Sequence, residues 1–460
     1  MTEKIRQKLS DSAAMRWTAL VIVALTMMMG YFLTDVMSPL ENMLETQLHW
    51  TSSEYGFFSG SYGYINVFLL MLFFGGIILD KMGVRFTGIM ASSLMVFGAF
   101  IKFYAISNIS PDESVKLAIL GYTEGIKIQV LVASLGFSIF GVGCEIAGIT
   151  VSKIIAKWFN GHEMALAMGF QVALARLGTA GALAISPKIA STYNLSAPIL
   201  FGAVCLVIGL LSFIIYCVLD KKLDASIEKN NTSTDEEESF KFSDLGVILK
   251  NPGFWLVTFL CLLFYSGVFP FLKFATKLMI YKYGVPENIA GFIPAILPFG
   301  TIILTPLFGT LYDRIGKGAT LMIIGSIMLT GVHICFALPI LNVSWFAIIL
   351  MILLGVAFSL VPSAMWPSVP KIIPMKQLGS AYAIIFYIQN IGLSLVPVLI
   401  GNVIEKYSKH TLSNGTLAYD FTIPMAIFAT FGVAAVITAI GLHILNGKKH
   451  YGLEQANIKK

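Results

Sequence analysis

The chain is short of charge. Only 12% of its 460 residues are Asp, Glu, Lys or Arg, where soluble domains carry about 25%. With 57% hydrophobic residues and a mean hydropathy of +0.81, that scarcity excludes an ordinary water-soluble domain. Long polar sequence is equally scarce. It is confined to Asp220–Lys250, whose centre reads KNNTSTDEEES, a composition that predicts a solvated, flexible linker. Cysteine is rare: Cys144, Cys205, Cys217, Cys261 and Cys335 all fall in apolar runs, so neither a disulfide framework nor a metal site is expected. The six histidines show no ligand spacing. No Walker motif appears, so the chain has no ATPase of its own, and neither an enzyme nor a cofactor is expected. The net charge of +6 is spread over short loops and gives no sign of nucleic-acid binding. Residues 1–16 are polar and basic and the first apolar run is of full membrane length, so no cleavable signal is expected.

What the chain has in abundance is apolar runs of membrane length. Twelve spans can be placed, at 17–40, 54–79, 86–107, 128–157, 163–191, 196–219, 252–281, 287–312, 319–341, 343–371, 377–405 and 421–446. They predict an all-α membrane protein whose partner is the lipid bilayer. Most of the basic residues, among them Arg16, Arg85, Lys157, Arg314, Lys317 and Lys371, fall at the termini and in the even-numbered loops. The other side holds Lys102, Lys116, Lys127, Lys188, Lys282, Lys406 and Lys409. The positive-inside rule then puts both termini in the cytoplasm.

Two charges interrupt the apolar hairpin 128–192. Glu145 lies 15 residues before Asn160 and Arg176 lies 15 residues after Gly161, the expected turn. At about 1.5 Å per residue both sit roughly 22 Å from that turn, near the middle of a hydrocarbon layer about 30 Å thick. Gly141, Glu145, Gly148 and Ser152 share one helical face, as do Gly169, Ala173, Arg176 and Ala180. Faces of small residues pack on helices or line cavities, and intramembrane charges mark a substrate path more often than a structural ion pair. The structural alternative is an ion pair that only joins the two helices.

A repeat divides the chain in two. GGIILDKMGVR (Gly75–Arg85) follows the second span and FGTLYDRIGK (Phe308–Lys317) follows the eighth; Asp80 and Asp313 are 233 residues apart. Here the chain resembles the major facilitator superfamily, with its loop signature GxxxDrxGrr. The resemblance implies twelve transmembrane helices in two pseudo-symmetric six-helix bundles, residues 1–219 and 251–460, joined by a cytoplasmic linker at 220–250. It also implies that Asp80, Arg85, Asp313 and Arg314 latch the cytoplasmic ends of the halves in the outward-facing state. YFLTDVMSPL (Tyr31–Leu40), AKWFNGHEMALAMGF (Ala156–Phe170), VFPFLKFATK (Val268–Lys277) and GSAYAIIFYIQNIGLSLVPVLIG (Gly379–Gly401) are similar to the branch that includes the lysosomal dipeptide uniporter of animals. That likeness implies Glu145 as the partner of a peptide amino group and Arg176 as the partner of its carboxylate. The absence of an evident lysosomal sorting motif, with the bare N-terminus, points to a bacterial cytoplasmic-membrane relative.

Further candidates for the substrate site are Tyr382, Gln389 and Asn390 on the eleventh span and Trp366 on the tenth, whose amides and rings suit a peptide link and a side chain. Asp35 and Lys273 are 238 residues apart, within about one and a half turns of the repeat offset, so they lie at similar depth. They are expected to pair in an outer gate, with Lys277 as an alternative partner for Asp35. The expected function is alternating-access transport of a small zwitterion, dipeptides first. Proton coupling stays open. So do an organic-anion transporter using Arg176 with Glu145 as a proton site, and a ligand sensor that transports nothing.

Overall fold

The computed structural model describes residues 9–117, 122–159, 162–228, 245–374, 377–413 and 417–456. The Asn160–Gly161 turn and the KNNTSTDEEES run lie outside the described residues. Ten of the twelve traverses contain one long helix each: Ala13–Asp35, Ile128–Trp158, Met164–Thr192, Ala197–Glu228, Pro252–Tyr283, Phe292–Ile315, Gly318–Ala337, Ser344–Ile372, Leu378–Val403 and Thr422–Lys449. Helix Met71–Asn108 supplies the end of the second traverse and all of the third, turning at Gly83, whose φ of 75° suits glycine. The sixth helix runs on to Glu228, past the expected start of the linker at Asp220.

The second span was expected to be one helix over 54–79. It is broken instead: helix Ser52–Gly60, a 3₁₀ turn Ser61–Gly63, helix Tyr64–Phe68, and Leu70 at φ 54° before the next helix. At this break the second span packs closely on the eleventh. A methyl at Gly60 would lie 2.2 Å from the Ser394 carbonyl oxygen, and one at Gly63 would lie 2.0 Å from Ser394 Oγ. The first span is also extended, through Ser38–Leu40 and Glu41–Leu48. Small hairpins, Ser114–Leu117 with Tyr122–Lys127 and Lys409–Thr411 with Leu417–Tyr419, cover the face opposite the termini, called here the far face.

The fourth and fifth spans do not form the close helical pair expected from their order. The fourth lies on the third, where Gly98 and Gly136 cross backbone to backbone, and the fifth lies on the first, where Gly178 meets the Met28 carbonyl. Small residues set both choices, because helices in lipid associate by close packing rather than by expulsion of water.

The halves meet at the second and eleventh spans and at the fifth and eighth. Their polar contacts lie between mid-depth and the far face. Lys273 Nζ is 2.7 Å from Asp35 Oδ1. Lys277 Nζ is 3.2 Å from Glu41 and 2.6 Å from Glu45. Lys409 is 2.8 Å from Glu45, and the Ser52 amide donates to Glu405 at 2.8 Å. Near the termini, by contrast, three ion pairs each lie within one half. Lys153 binds Asp80 at 2.7 Å, Arg85 binds Asp224 at 2.8 Å, and Lys157 binds the buried Asp220 at 2.9 Å. In the second half the chain folds back after its last helix. Lys317 and Gly318 donate their amides to the Glu454 and Leu453 carbonyls at 3.0 and 2.8 Å. The Glu454 carboxylate takes the Thr320 amide and hydroxyl at 3.0 and 2.9 Å, and Leu453 is fully buried.

Candidate functional site

A cavity of about 260 Å³ lies between the halves. Glu145, Arg176, Trp366, Gln389 and Asn390 all line it, as do Asp35 and Lys273 at its far-face end. Tyr382 does not. Its ring packs on Trp366 and its hydroxyl donates to the Trp366 carbonyl at 3.2 Å, so it stands behind the wall.

Glu145 reaches the cavity because Gly141, one turn earlier, lets the fourth helix touch the 3₁₀ turn of the second span; a methyl there would lie 2.0 Å from the Tyr62 carbonyl oxygen. The same turn aims Tyr62 inward, and its hydroxyl donates to Glu145 Oε1 at 2.9 Å. Arg176 is carried by the fifth helix but held by the other half. Its guanidinium carbon is 5.3 Å from the centroid of Phe269 and 5.2 Å from that of Phe358, within the range of cation–π attraction. No Glu145–Arg176 ion pair is formed among the described residues. The carboxylate takes a phenol and the guanidinium takes two rings, because their helices pack on other neighbours.

The rest of the wall is aromatic and amide. Trp366 stacks on Phe386 with centroids 4.9 Å apart and donates Nε1 to the Tyr265 hydroxyl at 3.1 Å. Asn390 Nδ2 donates to the Phe386 carbonyl, whereas Asn390 Oδ1, Gln389 Oε1 and Thr179 Oγ1 are buried without a hydrogen-bond partner among the described residues. Buried polar atoms left open in this way are costly unless something binds there.

At the pair expected to form an outer gate, Asp35 also accepts from Ser38 Oγ at 3.4 Å, and Lys273 also donates to the Thr34 carbonyl at 3.1 Å. Lys277 is not an alternative partner for Asp35. It lies deep among Glu41, Glu45 and Ser52, acids that sequence reasoning passed over because they fall beyond the expected end of the first span. Near the termini, Asp80 and Arg85 are bonded within the first half, Asp313 is half-buried and Arg314 is exposed. Lys102, counted above with the bases of the other side, is fully buried within the third span. Sequence reasoning also missed Tyr62, Tyr265, Phe269 and Phe358. The Gly-Ser-Tyr-Gly run at 60–63 was a usable signal for the first of these, since interrupted helices gather at transport sites.

The model of the Major Facilitator Superfamily matches residues 20–397, so the chain belongs to that superfamily and is an integral membrane transporter protein. Among curated relatives it is similar to the lysosomal dipeptide transporter MFSD1 of Bos taurus, 25% identical over 400 residues, which cover 84% of this chain and 79% of that one. Among solved structures it is similar to the nucleoside transporter NupG, with a TM-score of 0.66 and 16% identity over 93% of this chain and 99% of that one. It is also similar to the xylose transporter XylE of E. coli in a partially occluded inward-open conformation, with a TM-score of 0.63 and 16% identity over 93% and 99%.

Proposed function

We propose that the protein moves dipeptides, or zwitterions of that size, across a bacterial cytoplasmic membrane by alternating access, with both termini cytoplasmic. The observation that carries this reading is one cavity offering an acid and a base that do not neutralise each other. A dipeptide separates its ammonium and carboxylate by roughly 5–6 Å of extended backbone. Glu145 takes the ammonium, keeping Tyr62 as its second partner. Arg176 takes the carboxylate through its planar fork while its faces stay on Phe269 and Phe358. Gln389, Asn390 and Thr179 supply acceptors for the peptide N–H, and the aromatic wall receives side chains. The relatives named as dipeptide transporters support the substrate class.

With both termini cytoplasmic, the inter-half contacts concentrated at the far face support an inward-facing arrangement. In this reading Asp35, Lys273 and Lys277 gate the outer side, and Asp80, Arg85, Asp313 and Arg314 act at the inner one, with halves 1–219 and 251–460 as the moving bodies. The test is a thermal-shift and transport comparison on purified protein, using dipeptides, amino- or carboxyl-blocked dipeptides, free amino acids, dicarboxylates and nucleosides. Stabilisation and uptake should require both free ends. Equal competition by both blocked forms would refute the site, and a response to dicarboxylates alone would favour an anion transporter in which Glu145 carries a proton.

A further inference from the structure

The cavity and its gates leave several buried charges unused, and one of these is a cation with no counter-ion among the described residues. Lys102, on the third span, is fully buried, and its Nζ donates to the Leu33 carbonyl at 2.9 Å. Its only other close surroundings among the described contacts are aromatic, with Nζ 4.7 Å from the Phe137 centroid and 5.6 Å from that of Phe140. No carboxylate lies within salt-bridge distance among the described residues. An ammonium has three donors, and burying one without a counter-ion is expensive, so a lysine kept there as simple helix glue is a poor choice over an apolar residue.

Its position explains it. Lys102 holds Leu33; Lys273 holds Thr34 and Asp35. Two ammonium groups therefore flank one three-residue stretch of the first helix, Lys102 from its own half and Lys273 from the other. Lys273 Nζ is 2.7 Å from Asp35, and Lys102 is anchored two residues before it on the same helix end. When the far face opens, Lys273 must leave with the seventh span, while Lys102 stays, because the third and fourth helices grip it at the Gly98–Gly136 crossing, where Gly136 abuts the Lys102 amide.

We propose that Lys102 is the alternate partner of Asp35: opening of the far face exchanges the Lys273–Asp35 pair for a Lys102–Asp35 pair within the first half. Asp35 then never stands unpaired in the protein interior. The exchange brings the energies of the two states together, since each keeps one ion pair, and it makes Lys102 a positioning residue for transport rather than a substrate ligand. The proposal rests on the alternating-access part of the reading above, not on the identity of the substrate.

The experiment measures state populations directly. Spin labels at Lys116→Cys and Leu341→Cys, both exposed on the far face, would report its opening by pulsed distance measurement in a background without the native cysteines. Lys102→Gln keeps a donor for Leu33 and removes the charge. It should shift the closed-to-open ratio at least about fivefold toward closed, and it should lower transport. In an Asp35→Asn background the same change should have no further effect on the ratio. Lys102→Met, if it folds, should behave as Lys102→Gln does. A wild-type closed-to-open ratio in folded Lys102→Gln would overturn the exchange, as would an undiminished shift in the Asp35→Asn background. A wild-type distance that never changes, with or without dipeptide, would overturn alternating access and the exchange together.

Discussion

The two faces of the molecule use charge in opposite ways. At the far face, acids of the first half meet bases of the second, and the partners are nearly dry: the Lys277 side chain is 0% exposed, with Glu41 at 2% and Glu45 at 7%. At the termini face, acids and bases of the same half meet, and several are wet, with Asp80 and Arg85 both 43% exposed. On the alternating-access reading proposed above, contacts that must break during a cycle differ in kind from contacts that must not. Bonds within a half keep a body rigid through the motion and need little strength. On the same reading, bonds between halves set which state is occupied, and their burial raises the cost of losing one partner. A gate of this type is a balance of states and not a lock.

The difference can be broken first at Lys277. Lys277→Met leaves Glu41 and Glu45 buried without their shared cation, at a cost of about 3–5 kcal/mol. Thermal unfolding in detergent should show a marked loss of stability, which a further Glu41→Gln, Glu45→Gln change should largely restore. A melting curve unchanged in Lys277→Met would show that the pairs at the far face carry no strength. Next comes the cavity. Arg176→Lys keeps the charge but loses the fork and the stacking on two rings, about 1.5–3 kcal/mol of charge-assisted bonding, so kcat/KM for dipeptides should fall roughly ten- to hundredfold. Proteoliposome uptake at wild-type efficiency would contradict that.

At the termini face the expected effects are smaller. Asp80→Asn removes a half-exposed pair worth about 0–1 kcal/mol, so stability and substrate binding should hold while transport slows. Wild-type transport rates in an Asp80→Asn, Asp313→Asn variant would remove any role for the repeat in the cycle. The mildest test is acid. Hydrogen bonds from its own amide, from Arg16 and from the Trp17 indole hold the Glu163 carboxyl down at about 2, from an ordinary 4.5. A depressed carboxyl contributes stability that is complete above about pH 4.5 and is lost as pH falls toward about 2. The melting-temperature gap between wild type and Glu163→Gln should accordingly be largest at neutral pH and shrink below pH 4.

The spans, the repeat and the two cavity charges were legible in the sequence because each is a departure from a uniform apolar background. An acid at 145 or an arginine at 176 stands out in a run of Ile, Gly and Ala. The depth estimate worked for Asp35 and Lys273 because helical rise converts residue number directly into height. Lateral neighbours were not legible. Which helix lies beside the fourth depends on glycines at 98, 136 and 143 meeting partners far away in sequence, and no periodicity reports that. Aromatic residues were hidden for the opposite reason: Phe269 and Phe358 are two among 34 phenylalanines, and nothing local marks those that cradle a guanidinium. The break in the second span was written as Gly-Ser-Tyr-Gly but was masked by the apolar residues around it.

The folded-back segment after the last helix bears on the order in which the protein is made. The Thr320 amide and the Glu454 carboxylate that receives it are 134 residues apart. At about 5–20 residues per second, the loop between the eighth and ninth spans is synthesised roughly 7–27 seconds before the residues that complete it. Until Leu453 and Glu454 leave the ribosome, the amides of Lys317, Gly318 and Thr320 have water or nothing as partners. The second half therefore gains this fastening late in synthesis, and a chain truncated after Lys449 would keep the sequence of all twelve spans and lack it.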